Sequence, residues 1–364
     1  MPVTVRSFAK INLGLYIGAS RPDGFHDLRT VYQTIALHDI IRVQVGRGSG
    51  IEIRSEDPRV PRDNSNTCYR IAELAMAALG VQGRITIEIE KRLPVQGGLG
   101  AGSGNAVATL LALERALKKY LPGPERLRIA AEVGSDLPLF LVGGTVLGAG
   151  RGEEVYPLPD LPSACCVVAT PEMGVSTPQA FRDWDALMSG CPRETGDREG
   201  NNREGHDFSR ATTDPQSAAA LPAEGSKLTP HSASDRMIGL GRKVSAWLSG
   251  QSQHRAGRAL SGVPANKGRG RAETPLLDLV RTGIENDFEQ VVFPKYPELS
   301  EVKGVLQRAG AFYASLSGSG SSIYGLFASR AAGEKAAARL RRSGIPARVT
   351  STLTRRQYWK RISD

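Results

Sequence analysis

The sequence predicts a two-domain α/β protein of the mixed α+β kind, on three observations. Short stretches of period-two apolar alternation, such as "DIIRVQVG" (39–46) and "RITIEIE" (84–90), are separated by stretches of helical periodicity. A chain of 364 residues with 40% hydrophobic and 23% charged residues is long enough for two cores and has the balance of a soluble globular protein. A block of different composition, about 191–275, then interrupts the second half. The expected organisation is an N-terminal domain over 1–160 and a C-terminal domain over 161–364, with the block as an insertion in the latter.

Taken in order, "DIIRVQVG" and "GIEIRS" (50–55) read as a hairpin. Asn66 can cap a helix that places Ile71, Leu74, Ala75 and Ala78 on one face, and the strand after it aligns Ile85, Ile87 and Ile89. A helix is expected from Asn105 to about Tyr120, stopped by "LPGPE", and another over 124–132. "GGTVLGAGRGEEVYPL" and "ACCVVATPE" read as strands, and 311–353 as strand, glycine turn, strand, helix, strand.

The block 191–275 is rich in Arg, Gly, Ser, Asp and Glu and poor in large apolar residues, so it reads as disordered or loosely packed and as dispensable for chemistry. One amphipathic helix is expected inside it, over 235–249, with Met237, Ile238, Leu240, Val244, Trp247 and Leu248 as its apolar residues.

Composition narrows the function classes. No apolar run reaches the roughly 20 residues that span a bilayer, and the N-terminus lacks a small-residue cleavage site, so a cytoplasmic location is expected. Cys68, Cys165, Cys166 and Cys191 have neither disulfide nor zinc spacing. A net charge of +10 favours an anionic partner: nucleic acid, acidic lipid or a phosphorylated small molecule.

The most informative stretch is "KRLPVQGGLGAGSGNAVATLLAL" (91–113), with five glycines in the eight positions 97–104, between a strand and a helix. Such a loop presents unpaired backbone N–H groups and the positive end of a helix dipole, and the missing side chains admit a phosphate. A tight connection is the alternative. The spacing fits neither a Walker loop nor the dinucleotide fingerprint.

Pro94, Gly97, Gly98, Leu99, Gly100, Gly102, Ser103, Asn105 and Ala106 form a pattern that resembles the nucleotide loop of the GHMP kinases. "AKINLGLYIGASRPDGFHDLRTVYQ" (9–33), "GSDLPLFLVGG" (134–144), "GVSTPQAF" (174–181), "ENDFE" (285–289) and "LSGSGSSIYGLF" (316–327) resemble one branch of that family. Its members phosphorylate the 2-hydroxyl of 4-diphosphocytidyl-2-C-methyl-D-erythritol in the non-mevalonate isoprenoid pathway. The resemblance implies a ribosomal-protein-S5-like N-terminal domain, a ferredoxin-like C-terminal domain, and ATP with Mg²⁺ as cofactors. It implies a small-molecule substrate, with no nucleic-acid or membrane partner expected.

The resemblance also implies roles. Lys10, otherwise an edge charge on a strand, stands beside Asp136, otherwise a cap or turn aspartate, which becomes the general base. The ATP-binding positions are Pro94, Gly97, Gly98, Leu99, Gly100, Ala101, Gly102, Ser103, Gly104 and Asn105. Phe25 and His26 would hold the cytosine by stacking and hydrogen bonds, with Phe181 on the opposite face. Asn12, Ser317 and Gly318 complete the substrate side, while Asp287 in "ENDFE" receives no role.

Some positions depart from the pattern. Gly104 stands where a second serine is usual, leaving Ser103 as the candidate oxygen ligand for a metal; Gln96 and Ala101 replace glycines, and Phe25 replaces a tyrosine. The competing readings are another kinase of the superfamily and a basic nucleic-acid-binding protein on a related scaffold.

Overall fold

The computed structural model describes residues 1–189, 230–248 and 283–363, which fold around two sheets. β1 (Val3–Ser20) and β2 (His26–Gly46) form a long antiparallel ribbon, with Gly24 at φ 80° in the turn between them. The first sheet then runs β3 (Gly50–Arg54), β4 (Arg84–Glu90), β2, β5 (Thr145–Ala149), β6 (Glu154–Pro157), with β1 paired to β2.

The expected hairpin between β2 and β3 is not formed. β4 lies between them, parallel to β3 and antiparallel to β2. The connection from β3 to β4 passes through α1 (Thr67–Leu79), which makes a parallel crossover. β4 takes the interior position because Ile85, Ile87 and Ile89 all bury in the core under α1, whereas the five-residue β3 serves as an edge. α1 itself ends as the sequence requires: the Asn66 side chain accepts from Cys68 N, and Gly80 closes the helix at φ 60°.

α2 (Ala101–Leu117) begins four residues before the expected start at Asn105, inside the glycine loop. Its buried face packs on β1, β2 and α1, with α3 (Gly123–Val133) and α4 (Leu137–Val142) beside it.

The second sheet has the order β10 (Ala347–Ser351), β7 (Cys165–Ala169), β9 (Ile323–Phe327), β8 (Tyr313–Leu316), all antiparallel. In chain order this is the 4-1-3-2 arrangement of a ferredoxin-like unit. Its helices are α5 (Thr177–Ser189), α7 (Glu289–Lys295), α8 (Pro297–Arg308) and α9 (Arg330–Arg342); the first three were not expected from the sequence. The C-terminal α10 (Arg355–Arg361) returns to the first sheet's core through Tyr358. A middle cluster that includes Ile11, Leu13, Tyr324 and Leu326 joins the two sheets along β1.

Most of the block 191–275, including Cys191, lies outside the described residues. Within it, the expected helix is present as α6 (Pro230–Leu248). It is part of the packed body: Leu240 and Val244 are buried against the middle cluster, while Ile238 is exposed. Arg29 Nη1 donates to Met237 O at 2.8 Å, and Lys243 Nζ donates to Gly283 O at 2.9 Å. The side chains of Trp247 and Leu248 lie outside the described residues. The helix expected inside the loosely packed block is therefore present and packed, because two buried apolar side chains and backbone-anchored cations order it through tertiary contacts.

Candidate active site

The glycine loop ends at Gly100, in the left-handed region at φ 67°, from which α2 departs. Gly104 N is already bonded to Gly100 O at 2.8 Å, so the N–H groups of Ala101, Gly102 and Ser103 are the first-turn donors for which a helix has no acceptor of its own. A side chain at Gly104 has no room: its Cβ would lie 2.9 Å from both Phe8 O and Ser7 Oγ. Ser103 is half-buried beside it. Ala101 is helical, which removes any strain at that replacement, but Gln96 holds φ 59°. The Leu99 side chain is core, and its carbonyl accepts from Lys10 N at 2.9 Å. This bond ties the loop to β1.

Lys10 and Asn12 share a face of β1, but β1 is covered on both sides, so these polar side chains are buried. The burial is compensated by bonding. Lys10 Nζ lies 3.2 Å from Asp136 Oδ2 and donates to Asn12 Oδ1 at 2.8 Å; Asn12 Nδ2 donates to Thr30 Oγ1 at 2.8 Å. Asp136 is the residue before α4, yet its side chain makes no capping bond. It turns instead to Lys10 and to the hydroxyl of Tyr32, which donates to Asp136 Oδ1 at 2.9 Å. The carboxylate remains 33% exposed, in contrast to the Lys10 side chain at 4%, so the acidic member of the pair reaches the surface while the basic one sits beneath it.

The second glycine motif closes on the first. Ser317 Oγ donates to Gly98 O at 2.9 Å, and Ser322 N donates to Gly97 O at 3.2 Å. A Cβ at Gly98 would lie 2.0 Å from Ser317 O, and one at Gly318 would lie 3.5 Å from Lys10 Nζ. Ser317 thus spends its hydroxyl on the clasp, and Gly318 borders the ammonium. Asn286 holds this turn from below, with Nδ2 donating to Leu316 O and Gly318 O at 2.9 and 2.8 Å.

Phe25 and Phe181 do not present two free faces. Phe181 is 4% exposed; the His26 ring stacks on it at 4.8 Å and 15°, and Phe288 meets it edge-on at 5.0 Å. The half-buried Phe25 ring is covered by the Arg151 guanidinium at 4.6 Å. Phe181, expected on the far face of a base, has one ring face covered by His26 and is met edge-on by Phe288. His26 Nε2 lies 2.7 Å from Asp185 Oδ1. A carboxylate accepts only, so the bond's proton sits on Nε2, and in the neutral ring Nδ1 carries a lone pair. Nδ1 is buried without a partner among the described residues.

Four contributors were not singled out from the sequence: Tyr32, Asp39, Asp185 and Asn286. Asp39 is fully buried in β2 and accepts from Lys91 Nζ (2.5 Å), Arg92 N (2.6 Å), Leu93 N (2.8 Å) and Asn105 Nδ2 (3.0 Å). One carboxylate therefore grips both ends of the glycine loop, and Asn105 serves that anchor from under the loop. Its sequence signal was an aspartate opening an otherwise apolar strand, "DIIRVQVG", where an exposed residue would ordinarily be assumed. Asp287 is structural: Oδ2 accepts from Ile17 N at 2.9 Å, and Oδ1 pairs with Arg236 of α6. Burial raises its carboxyl to about 7, against the lowering effect of Arg236.

Comparison with known proteins follows the same lines. The family model described as GHMP kinases N terminal domain matches residues 66–144, and that described as GHMP kinases C terminal matches 273–346. The 4-diphosphocytidyl-2-C-methyl-D-erythritol kinase of Solibacter usitatus is 34% identical over 326 residues, covering 90% of this chain and 81% of the relative. That of Acaryochloris marina is 32% identical over 339 residues, covering 93% and 91%. Among solved structures, a 4-(cytidine 5'-diphospho)-2C-methyl-D-erythritol kinase superposes with a TM-score of 0.63 at 27% identity, covering 96% of this chain and 99% of the other. Homoserine kinase from Cytophaga hutchinsonii, with a TM-score of 0.60 at 19% identity over 96% and 95%, shares the fold.

Proposed function

The chain belongs to the 4-diphosphocytidyl-2-C-methyl-D-erythritol kinases of the GHMP family, and from that premise we infer that it transfers the γ-phosphoryl group of ATP to the 2-hydroxyl of that cytidylyl alcohol, a step of the non-mevalonate isoprenoid pathway. The observation that carries the reading to this chain's own residues is the Lys10–Asp136 pair, set beside two glycine turns that clasp each other.

The chemistry follows from the donor inventory. Asp136, partly exposed, takes the proton of the attacking hydroxyl as the new O–P bond forms and the bond to the ADP oxygen breaks. Lys10 spends two of its three N–H donors on Asp136 and Asn12, leaving the third for an oxygen of the moving phosphoryl group. The first-turn N–H groups of α2, with Gly97, Gly98 and Gly100 behind them, cradle the remaining phosphates. At the other end, the unpartnered His26 Nδ1 is an acceptor suited to the exocyclic amine of cytosine, and the Phe25 ring is a stacking surface shared with Arg151.

Among the described residues no group of three or more His, Cys, Asp or Glu could hold a metal ion. Ser103, half-buried on the first turn of α2, is the side-chain oxygen that would serve a Mg²⁺ arriving with ATP, since this ion takes most of its ligands from phosphates and water and one or two from protein. When bound it would neutralise charge on the β- and γ-phosphates.

A coupled ADP-release assay tests the reading: turnover with the cytidylyl alcohol and none with homoserine, mevalonate or galactose is expected. Preference for any of the three others would replace the substrate assignment.

A further inference from the structure

Tyr32 lies in the middle of β2, 2% exposed, and its hydroxyl reaches the Asp136 carboxylate. The slot that admits it is built by absences. A Cβ at Gly148 would lie 2.5 Å from Tyr32 Cε2, and a Cβ at Gly152 would lie 2.6 Å from the hydroxyl oxygen. Gly152 also holds φ 107°, a conformation that side chains resist. The turn "GAGRG" between β5 and β6 is therefore shaped around the phenol, and the same turn sends Arg151 over Phe25. Lys10 Nζ stands 5.6 Å from the centroid of the Tyr32 ring, so ring and hydroxyl contact both members of the Lys10–Asp136 pair.

We propose that Tyr32 is a positioning residue for phosphoryl transfer: its hydroxyl, donated to Asp136 Oδ1, fixes the plane of the carboxylate so that the lone pairs not engaged by Tyr32 and Lys10 face the substrate hydroxyl. The inference rests on the kinase reading above. Asp136 is the residue before a six-residue helix, without a capping bond, and among the described residues the polar contacts that hold its side chain are those to Tyr32 and Lys10. Lys10 restrains Oδ2 but leaves the carboxylate free to turn about that contact; the second anchor on Oδ1 removes the rotation. Burial and the neighbouring Asp136 charge raise the phenol well above its ordinary pKa, so the hydroxyl keeps its proton and stays a donor. A base held in one orientation delivers its effect in kcat, because alignment matters where the proton moves and not where the substrate first docks.

The test is Tyr32→Phe, which keeps the ring and removes only the oxygen. Expected is a fall in kcat of about 10- to 100-fold, the range for one hydrogen bond to a charged group, with KM for ATP and for the cytidylyl alcohol within about 2-fold of wild type. Unchanged kcat overturns the proposal, as does a rise in both KM values that matches the loss of kcat, which marks a packing role. A double-mutant cycle of Tyr32→Phe with Asp136→Ala, read by thermal unfolding, needs no substrate. Shifts in Tm that fail to add are expected for partners in contact, and strict additivity overturns the contact. Should the wild-type protein turn over none of the alcohols, the substrate reading fails by itself, and the cycle still decides whether Tyr32 acts on Asp136.

Discussion

Asn105 Nδ2 donates to Asp39 Oδ2 at 3.0 Å, beneath the glycine loop and opposite the bond from Leu93 N to Asp39 Oδ1 at 2.8 Å. The strand entering the loop and the helix leaving it are thus held by one buried carboxylate, which sets the mouth of the glycine loop. Lys91, itself buried, balances the charge at 2.5 Å.

The first prediction concerns this anchor. Asp39→Asn leaves the Lys91 ammonium without its counter-charge, and breaking a buried pair from one side costs about 3 to 5 kcal/mol. Urea unfolding should show a loss of that order, and the KM for ATP should rise. A variant with wild-type stability and ATP affinity would show that the loop keeps its shape without Asp39.

Second, Asp136→Asn should lower kcat by roughly 10² to 10⁴, the contribution of a positioned general base, while calorimetric affinity for the cytidylyl alcohol changes little. The asparagine keeps the shape and can still accept from Tyr32. Retention of more than about a third of kcat would reduce the role of Asp136 to positioning.

A third prediction separates the two phenylalanines. Phe181 is buried under His26 and against Phe288, so Phe181→Ala should cost about 3 to 5 kcal/mol of stability, as for a large core truncation. Phe25 is half-buried and caps a surface, so Phe25→Ala should leave stability nearly unchanged and weaken cytidylyl-substrate binding roughly 5- to 150-fold, with ATP affinity preserved. Equal losses for both ligands in Phe25→Ala would indicate a structural role instead.

The fourth follows from Asp287, whose carboxyl burial raises from 3.8 to about 7 with Arg236 and Glu285 as its charged neighbours. The folded state then binds the proton more tightly than the unfolded chain between those values, so this group's contribution to stability is largest below about pH 4 and is lost as pH rises to about 7. Asp287→Asn should flatten the stability profile in that window, measured by urea unfolding at several pH values. An unaltered slope would show that Arg236 keeps the carboxylate ionised throughout.

A fifth test addresses α6. Leu240→Ala should destabilise the protein by about 2 to 5 kcal/mol, because this side chain is buried in the cluster that joins the two sheets. A negligible effect would return the helix to the status of a dispensable insertion.

Local signals alone determined much of this protein. Asn66 and Gly80 bracket α1 because capping depends on a few adjacent atoms, and the isoleucine alternation of 85–89 marks β4 because its period is local. The strand, turn, strand, helix, strand order near the C-terminus was legible for the same reason, as was the strand-to-helix setting of the glycine loop. Tertiary structure decided what local pattern does not encode. β4 enters between β2 and β3, where Ile85, Ile87 and Ile89 all leave water on the face under α1. The helix in the polar block packs because Leu240 and Val244 find β1, a partner more than two hundred residues away. The site itself was half legible: Lys10 and Asp136 stood in motifs, but the hydroxyl of Tyr32, the carboxylates of Asp39 and Asp185 and the amide of Asn286 make contacts across 30 to 159 positions, which form only when the chain is folded. A buried polar group is costly unless it is paired, and that pairing is set by which side chains the fold brings within hydrogen-bond reach.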